Sequence, residues 1–333
     1  MSINFDEIID RRGTSCLKYD FAVERGYPKD VLPFWVADMD FRAPVPVIDA
    51  LTARAAHGIF GYTQVKDDYC NVLHDWFRTR HAWTVQRDEL VITPGVVFAI
   101  ATAIRAYTAP NEAVIIQQPV YYPFASMIRQ NGRTLIDSPL RFADGRYSID
   151  FADFEQKIID HKVKLFVLCS PHNPVGRVWT RAELEQLAAI CLRHHVIVVA
   201  DEIHEEFVRP GFRHIPFASL SADAAAITVT CTSPSKTFNL AGLQISNIFI
   251  SDESLRRRFK EELSRTGYDE PNTLGLAGAK AAYEHGAPWL KELLAYIEEN
   301  YAFTKEYLAA HLPKVQLIEP EGTYLIWMDF SAY

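Results

Sequence analysis

Residues 196–207 read VIVVADEIHEEF, and this stretch decides the fold class. Five apolar residues, four of them β-branched, are followed at once by acidic side chains and a histidine. A run this short and this rich in Val and Ile predicts a strand that is buried on both faces. The change to Asp201 and Glu202 marks the carboxyl end of that strand, which is where open α/β sheets bind their ligands.

Similar apolar runs lie on either side of this one, at residues 114–118, 164–170, 226–231 and 245–250. Helical patterns separate several of them. The clearest begins at Thr180, where Thr180 and Glu183 have the spacing of a capping box, and it continues to about Arg193. Strands that alternate with helices predict an α/β fold with a mostly parallel sheet covered on both faces.

Polar side chains follow each of the first four predicted strands. They are Gln118-Pro119, Ser170-Pro171-His172-Asn173-Pro174, Asp201-Glu202 and Thr232-Ser233-Pro234-Ser235-Lys236. The turn at residues 93–95 also precedes an apolar helical pattern, so the amides of Gly95, Val96 and Val97 are a candidate anion cradle. The sequence therefore predicts one ligand site at a single edge of the sheet.

Composition excludes several other classes of protein. The chain has 333 residues, 49% of them hydrophobic, with 42 acidic and 34 basic residues and a net charge of −8. This balance disfavours binding to nucleic acid. No apolar run reaches the roughly 20 residues that a membrane span needs. The N-terminus lacks the basic region of a secretory signal, so we expect a cytoplasmic protein.

Metal and disulfide sites are also not expected. Five cysteines without close pairs fit neither a disulfide framework nor a zinc site. The run His204-Glu205-Glu206 resembles the start of a zinc-protease motif, but Val208 stands where the second histidine ligand would be. We therefore expect no metal site.

The two ends of the chain depart from the alternation of strands and helices. We expect residues 46–285 to form a large domain and residues 1–45 plus 286–333 to form a smaller α+β domain. Residues 319–322 predict a turn and residues 323–330 a strand. Since the chain stops three residues later, we expect the C-terminal part of the small domain to be incomplete.

Several motifs resemble those of a known family. SPSKTFNLAGLQ (233–244), SPHNPVGR (170–177) and ADEIHEEF (200–207) resemble the signatures of the class I/II aminotransferase superfamily of fold-type I pyridoxal-phosphate (PLP) enzymes. Four further stretches are similar to its MalY/PatB branch, which contains cystathionine β-lyases and other cysteine-S-conjugate β-lyases. They are FDEIIDRRGTSCLKYD (5–20), FWVADMDF (34–41), PVYYPF (119–124) and EGTYLIWMDF (321–330). The resemblance covers essentially the whole chain and implies the fold of a fold-type I PLP-dependent transferase.

The resemblance implies that PLP is the cofactor and gives roles to the residues around its ring. Lys236 would bond to the cofactor aldehyde and later remove the substrate Cα proton. Asp201 would face the ring nitrogen, and Asn173 would bind the 3′-oxygen. Tyr121 would stack on the ring, and His204 would lie near the 3′-oxygen or behind it. The alternatives are a surface lysine, a helix cap at Asp201, a turn at Asn173 and simple core packing of the tyrosines.

The phosphate and the substrate have their own candidate residues. The amides of Gly95, Val96 and Val97 and the Ser233 hydroxyl would bind the phosphate. Tyr62 resembles a tyrosine that reaches the phosphate from the neighbouring subunit, which implies a homodimer. The candidates for contact with an amino-acid substrate are Ala37, Asn173 and, near the leaving sulfur, Tyr122.

The reaction that the resemblance favours is α,β-elimination from an S-substituted cysteine. The alternative is an aminotransferase, although Gln244 stands where many aminotransferases carry a phosphate-binding arginine. The family's arginine for the substrate carboxylate would follow residues 323–330, and this chain has no equivalent. Two interpretations stay open: the chain is truncated and catalytically impaired, or the amide near Ala37 and the Asn173 side chain bind the carboxylate.

Overall fold

A computed structural model describes residues 3–333 and contains an α/β core. Within these residues the helices are α1 (Val45–His57), α2 (Asp67–His81), α3 (Val96–Tyr107), α4 (Pro123–Gln130), α5 (Phe151–His161), α6 (Arg181–Arg193), α7 (Ala222–Ala226), α8 (Pro234–Thr237), α9 (Glu253–Ser264), α10 (Thr273–His285) and α11 (Ala287–His311). The strands are β1 (Leu90–Thr93), β2 (Ala113–Ile116), β3 (Thr134–Asp137), β4 (Arg141–Ala143), β5 (Arg146–Ser148), β6 (Leu165–Cys169), β7 (Ile197–Asp201), β8 (Thr228–Thr232), β9 (Ser246–Phe249), β10 (Gln316–Leu317) and β11 (Met328–Asp329).

A seven-stranded sheet forms the centre of the molecule, with the order β1-β9-β8-β7-β6-β2-β3. The five strands from β8 to β3 pair in parallel, and β9 runs antiparallel to both of its neighbours. The predicted mostly parallel sheet is therefore confirmed. All five apolar runs predicted as strands contain strands, whereas β1, β3, β4, β5 and β10 were not predicted.

The middle of the sheet is buried because helices cover both faces. Every residue of β2, β6 and β8 is buried. One apolar cluster joins the sheet to α3, α4 and α9, and another joins it to α5 and α6. Helix α6 begins at Thr180 with the predicted capping box: Thr180 Oγ1 accepts from the Glu183 amide, and Glu183 Oε2 accepts from the Thr180 amide.

Strand register brings the polar residues together at one edge of the sheet. Asp201 pairs with Cys169 on one side and with Cys231 on the other. The three central strands therefore end level with one another, and residues 170, 202 and 232 leave the sheet at the same edge. This is the edge that the sequence predicts for the ligand site.

The C-terminal stretch differs from the prediction. Residues 323–330 were predicted as one strand, but only Met328–Asp329 is a strand, paired with Gln316–Leu317. Thr323 has a left-handed φ of 64°, and its hydroxyl accepts from the Leu325 amide. This local turn interrupts the extended backbone that the apolar pattern predicts.

A third apolar cluster contains residues from both predicted domains. Phe5 and Trp289, assigned to the small domain, pack in the same cluster as Trp76 and Phe238 of the large one. The boundary between the two domains stays a prediction. Among residues 3–333, every helix falls short of the length or apolarity required to cross a bilayer.

Candidate active site

A cavity at the carboxyl edge of the sheet brings together most of the predicted site residues. The predicted residues that line it are Ala37, Gly95, Val96, Val97, Tyr121, Asn173, Asp201, His204 and Lys236. Cys169 and Ile203 also line it and were not predicted. Cys169 could have been found from its position at the end of β6, next to the motif at residues 170–177.

Lys236 lies on the short helix α8, directly after β8. Its Nζ donates to the Ala37 carbonyl at 2.6 Å. Burial lowers the pKa of this amine, although Asp38 and Asp201 oppose the effect. A lysine held in this way has more of its neutral, nucleophilic form at neutral pH than an exposed lysine.

Asp201 ends strand β7 and is 5% exposed. Its Oδ1 accepts from the Ile203 amide at 3.2 Å, which is its one hydrogen bond among the described residues. Burial raises the pKa of this carboxyl to about 7, while the Ile203 amide and Lys236 act in the other direction. A buried acid with a single amide donor and an open side is suited to a cationic N–H group.

His204 and Asn173 occupy neighbouring parts of the wall. The Nδ1 atom of His204 is buried without a partner, and its ring packs edge-on against Tyr324 with centroids 5.5 Å apart. Burial and the nearby Lys236 lower the pKa of His204 to about 3, so its ring is neutral. The Asn173 backbone amide donates to Cys169 Sγ at 3.3 Å, and Asn173 lines the cavity.

The anion cradle is the N-terminus of α3. Gly95 is the residue that caps this helix, and no side chain caps its amides. The amides of Val96 and Val97 belong to the first turn, where the helix itself supplies no acceptor. They therefore offer hydrogen bonds and the positive end of the helix dipole to a phosphate.

The two neighbouring tyrosines differ in position. Tyr121 is half-buried in the cavity wall, and burial raises the pKa of its phenol to about 12, with a smaller contribution from Asp201. Tyr122 is 75% exposed and stands outside the residues that line the cavity, with its ring 5.7 Å from that of Tyr121.

Two of the predicted phosphate ligands do not meet the cavity in this chain. The Ser233 hydroxyl donates to the Ile245 carbonyl at 2.8 Å and accepts from the Ser235 amide at 3.1 Å. Its hydrogen bonds cap α8 and tie it to β9, so its predicted contact with phosphate is not supported by this geometry. Tyr62 is 96% exposed and lies in a separate surface depression with Pro94.

Tyr324 is a further residue of this region that the sequence did not predict. It is half-buried, its hydroxyl donates to the Ala37 carbonyl at 2.8 Å, and burial raises its pKa. It comes from the C-terminal stretch, 123 residues after Asp201 by sequence number. No local pattern links two positions so far apart, so only the folded chain shows this contact.

The donor set of the cavity fits PLP. An amine, a carboxylate that lacks a cationic partner, an amide, an aromatic face and a helix N-terminus all meet in one enclosed space. These groups match the aldehyde, ring nitrogen, 3′-oxygen, ring face and phosphate of that cofactor.

Residues 29–333 match the family described as Aminotransferase class I and II. The chain belongs to this family. It is 48% identical over 335 residues to the cystathionine beta-lyase PatB of Bacillus subtilis (strain 168), covering 99% of this chain and 86% of that protein. It is 35% identical over 329 residues to the protein MalY of Escherichia coli (strain K12), covering 98% of this chain and 83% of that protein.

Solved structures agree with this family membership. The crystal structure of cystalysin from Treponema denticola, which contains a pyridoxal 5′-phosphate cofactor, matches with a TM-score of 0.96 and 36% sequence identity. The match covers 100% of this chain and 85% of that one. The fold is that of a fold-type I PLP enzyme, as the motifs predicted.

Proposed function

We propose that this chain is a PLP-dependent carbon–sulfur β-lyase. It would convert an S-substituted cysteine such as cystathionine, with one water, into a thiol, pyruvate and ammonia. The proposal is carried by the Lys236 amine and the Asp201 carboxylate, which line one cavity. Within residues 3–333 the carboxylate accepts only one hydrogen bond, from a backbone amide. The chain is also 48% identical to a cystathionine β-lyase.

Each wall of the cavity has a part in holding the cofactor. Lys236 Nζ would bond to its aldehyde carbon, Asp201 would face its ring nitrogen, and Asn173 would bind the ring oxygen. Tyr121 would cover one face of the ring, while the amides of Val96 and Val97 would receive the phosphate. When bound, PLP supplies an electron sink for the Cα–H bond of the amino acid.

The proton transfers fall to the chain itself. Lys236 is suited to take the Cα proton because its lowered pKa leaves a neutral amine available. Asp201 would hold a proton on the ring nitrogen of bound PLP, where the positive charge favours electron withdrawal. As the carbon–sulfur bond breaks, Lys236 or Tyr122 would protonate the thiolate.

A paired chemical and kinetic experiment tests this proposal. Borohydride reduction of the PLP-loaded protein followed by peptide mapping should place the tag on Lys236. Cystathionine should give equal amounts of thiol and pyruvate. Lys236→Ala should lose both tag and turnover, whereas Lys291→Ala, which changes an exposed lysine, should lose neither. Transfer of the amino group to a 2-oxo acid without thiol release would establish the aminotransferase alternative.

We also propose that the protein acts as a homodimer in which Tyr62 completes the neighbouring site. The support is the near-complete exposure of Tyr62 in the single chain and its likeness to a phosphate-binding tyrosine. Loss of one hydrogen bond to a phosphate costs about 1.5–3 kcal/mol, so Tyr62→Phe should weaken PLP retention about 10- to 100-fold.

Mixing two inactive variants tests whether Tyr62 acts across subunits. In a mixed dimer of Lys236→Ala and Tyr62→Ala chains, one site has Lys236 from one chain and Tyr62 from the other. Activity should therefore return on mixing under conditions that allow subunit exchange. Absence of any recovery in a mixed dimer confirmed by mass would contradict a contact between subunits.

A further inference from the structure

The Ala37 carbonyl accepts hydrogen bonds from two side chains that are far apart in the sequence. It accepts from Lys236 Nζ at 2.6 Å and from the Tyr324 hydroxyl at 2.8 Å. Ala37 itself lies in an irregular segment at residues 34–41 without helix or strand. Its position in the cavity wall therefore depends on side-chain contacts rather than on secondary structure.

The rest of this segment is held by other groups. The Asn239 side chain bonds to the backbone of Met39 and Phe41, at 2.8–3.1 Å. Arg11 bonds to the carboxylates of Asp38 and Asp40 at 2.7 Å each. These contacts fix residues 38–41, and the Asp38 amide donates to the Val36 carbonyl at 2.9 Å. Among the described residues the Ala37 carbonyl is held by Lys236 and Tyr324 alone.

Lys236 cannot hold Ala37 throughout the proposed reaction. Its Nζ is the atom that bonds to the cofactor and takes up the Cα proton, so its contact with the Ala37 carbonyl is intermittent. The Tyr324 hydroxyl has no such second task. Burial raises its pKa, so it stays protonated and remains a donor through the neutral pH range.

Packing fixes the direction of the Tyr324 hydroxyl. Its ring lies edge-on to Phe207, with centroids 4.6 Å apart, and edge-on to His204 at 5.5 Å. Thr323, the residue before it, donates its amide to the Phe207 carbonyl at 2.7 Å. A phenol ring held between two other rings loses little further conformational freedom when its hydroxyl bonds to a carbonyl.

We infer that Tyr324 is a positioning residue for the substrate carboxylate. By holding the Ala37 carbonyl it fixes the turn at residues 36–38. The Asp38 amide of this turn is bonded to the Val36 carbonyl, whereas the Ala37 amide has no acceptor among the described residues and can face the carboxylate of the amino acid. The inference rests on the proposed function and on the interpretation that the amide near Ala37 binds this carboxylate. Tyr324 itself need not touch the substrate.

Tyr324→Phe is the variant that tests this, and Tyr107→Phe is its matched control. Tyr107 is also buried, and its hydroxyl also donates to a backbone carbonyl, that of Leu255 at 2.9 Å, outside the cavity lining. Both variants remove the same bond and keep the ring. Any general effect of losing a buried phenol hydroxyl should therefore be common to the two.

The expected result is selective for the carboxylate. In Tyr324→Phe the KM for cystathionine and the dissociation constant for alanine should rise about three- to tenfold, the effect of one lost hydrogen bond. The dissociation constant for ethylamine, which lacks the carboxylate, should stay unchanged, as should kcat within twofold. Amide hydrogen exchange in the PLP-loaded protein, where Lys236 is bonded to the cofactor, should increase at residues 34–41. Tyr107→Phe should show none of these changes.

The outcomes separate this inference from the proposed function. If the wild-type protein releases no thiol, the proposed function fails whatever the variants do. If the wild type is active and Tyr324→Phe weakens alanine and ethylamine equally, or neither, the inference is wrong. Unchanged exchange at residues 34–41 of the PLP-loaded protein would also overturn it, because Ala37 would then be held by other contacts.

Discussion

The short segment at residues 201–206 has two sides whose side chains are equally buried but differ in their hydrogen-bond partners. Asp201 and His204 face the cavity, whereas Glu202, Glu205 and Glu206 point into the protein interior. All five are 5% exposed or less. The groups differ in their partners, so burial by itself does not distinguish a residue that binds a ligand from one that stabilises the fold.

On the interior side, Glu202 and Glu206 are paired with donors of the surrounding structure, whereas Glu205 Oε2 has no partner among the residues described. Glu206 accepts from Trp76 Nε1 at 2.7 Å and from Arg80 Nε at 2.5 Å, and its Oε1 lies 2.9 Å from His81 Nε2. Glu202 accepts from the Phe217 amide at 2.8 Å and lies 3.1 Å from His214. The pKa of Glu206 is lowered because His81 and Arg80 outweigh the effect of its burial.

The cavity side leaves its groups incompletely bonded. Asp201 has one backbone donor, and His204 Nδ1 has no partner. Unmet hydrogen-bonding capacity in a buried position costs stability unless a ligand supplies the missing partner. The contrast therefore identifies which residues of the loop are arranged for a cofactor.

The largest expected effect is on the interior side. Glu206→Gln removes the charge that pairs with Arg80 and His81, and breaking a buried pair of this kind costs about 3 kcal/mol. The free energy of unfolding, measured by chemical denaturation, should fall by that amount. The kcat of the PLP-loaded enzyme below its melting range should stay within about twofold. A large loss of kcat with unchanged stability would instead show that Glu206 acts in catalysis rather than in stabilising the fold.

Asp201→Asn should have a smaller effect in free energy than Glu206→Gln, and this effect should be on catalysis. Loss of a charged hydrogen bond to the cofactor ring costs about 1.5–3 kcal/mol, so kcat should fall about 10- to 100-fold. The measurement is thiol release from cystathionine by protein saturated with PLP. A variant with unchanged kcat would show that Asp201 is only a structural residue.

The same variant gives a pH test without cofactor. The folded pKa of Asp201, about 7, lies above its ordinary value of 3.8, so the folded protein binds this proton more tightly than the unfolded chain. The contribution of Asp201 to the stability of the cofactor-free wild type should therefore fall as the pH rises from about 4 to 7. Asp201→Asn removes this dependence, so its stability relative to wild type should increase over that interval. An equal pH dependence in the two proteins would contradict the raised pKa.

Glu205→Gln should have the smallest effect. Glu205 Oε2 has no hydrogen-bond partner, and burial together with Glu206 and Glu202 raises the pKa of this carboxyl well above its ordinary value. A neutral amide closely resembles the neutral acid, so stability at pH 7 should change by less than about 1 kcal/mol. At alkaline pH the variant should be more stable than wild type, since it has no proton to lose. A loss as large as that of Glu206→Gln would show that Glu205 is ionised.

The sequence was sufficient for the central sheet and for most of the cavity wall. Runs such as residues 196–200 are apolar and β-branched enough to predict buried strands, and motif residues directly after them line the cavity. Ser233 was predicted as a phosphate ligand for the same reason. In the folded chain its hydroxyl donates to the Ile245 carbonyl at 2.8 Å, so its role as a phosphate ligand stays a prediction.

What the sequence determined by itself is the set of groups at the strand ends, including Lys236, Asp201 and Asn173, because their placement follows from local strand and turn propensity. What only the tertiary structure decided is which distant side chains meet them. Tyr324 reaches the Ala37 carbonyl because the chain after Pro320 packs against residues 207–209, and Gly322 forms a bridge with Val208 there. Contacts of this kind depend on long-range packing, which no local pattern of residues encodes.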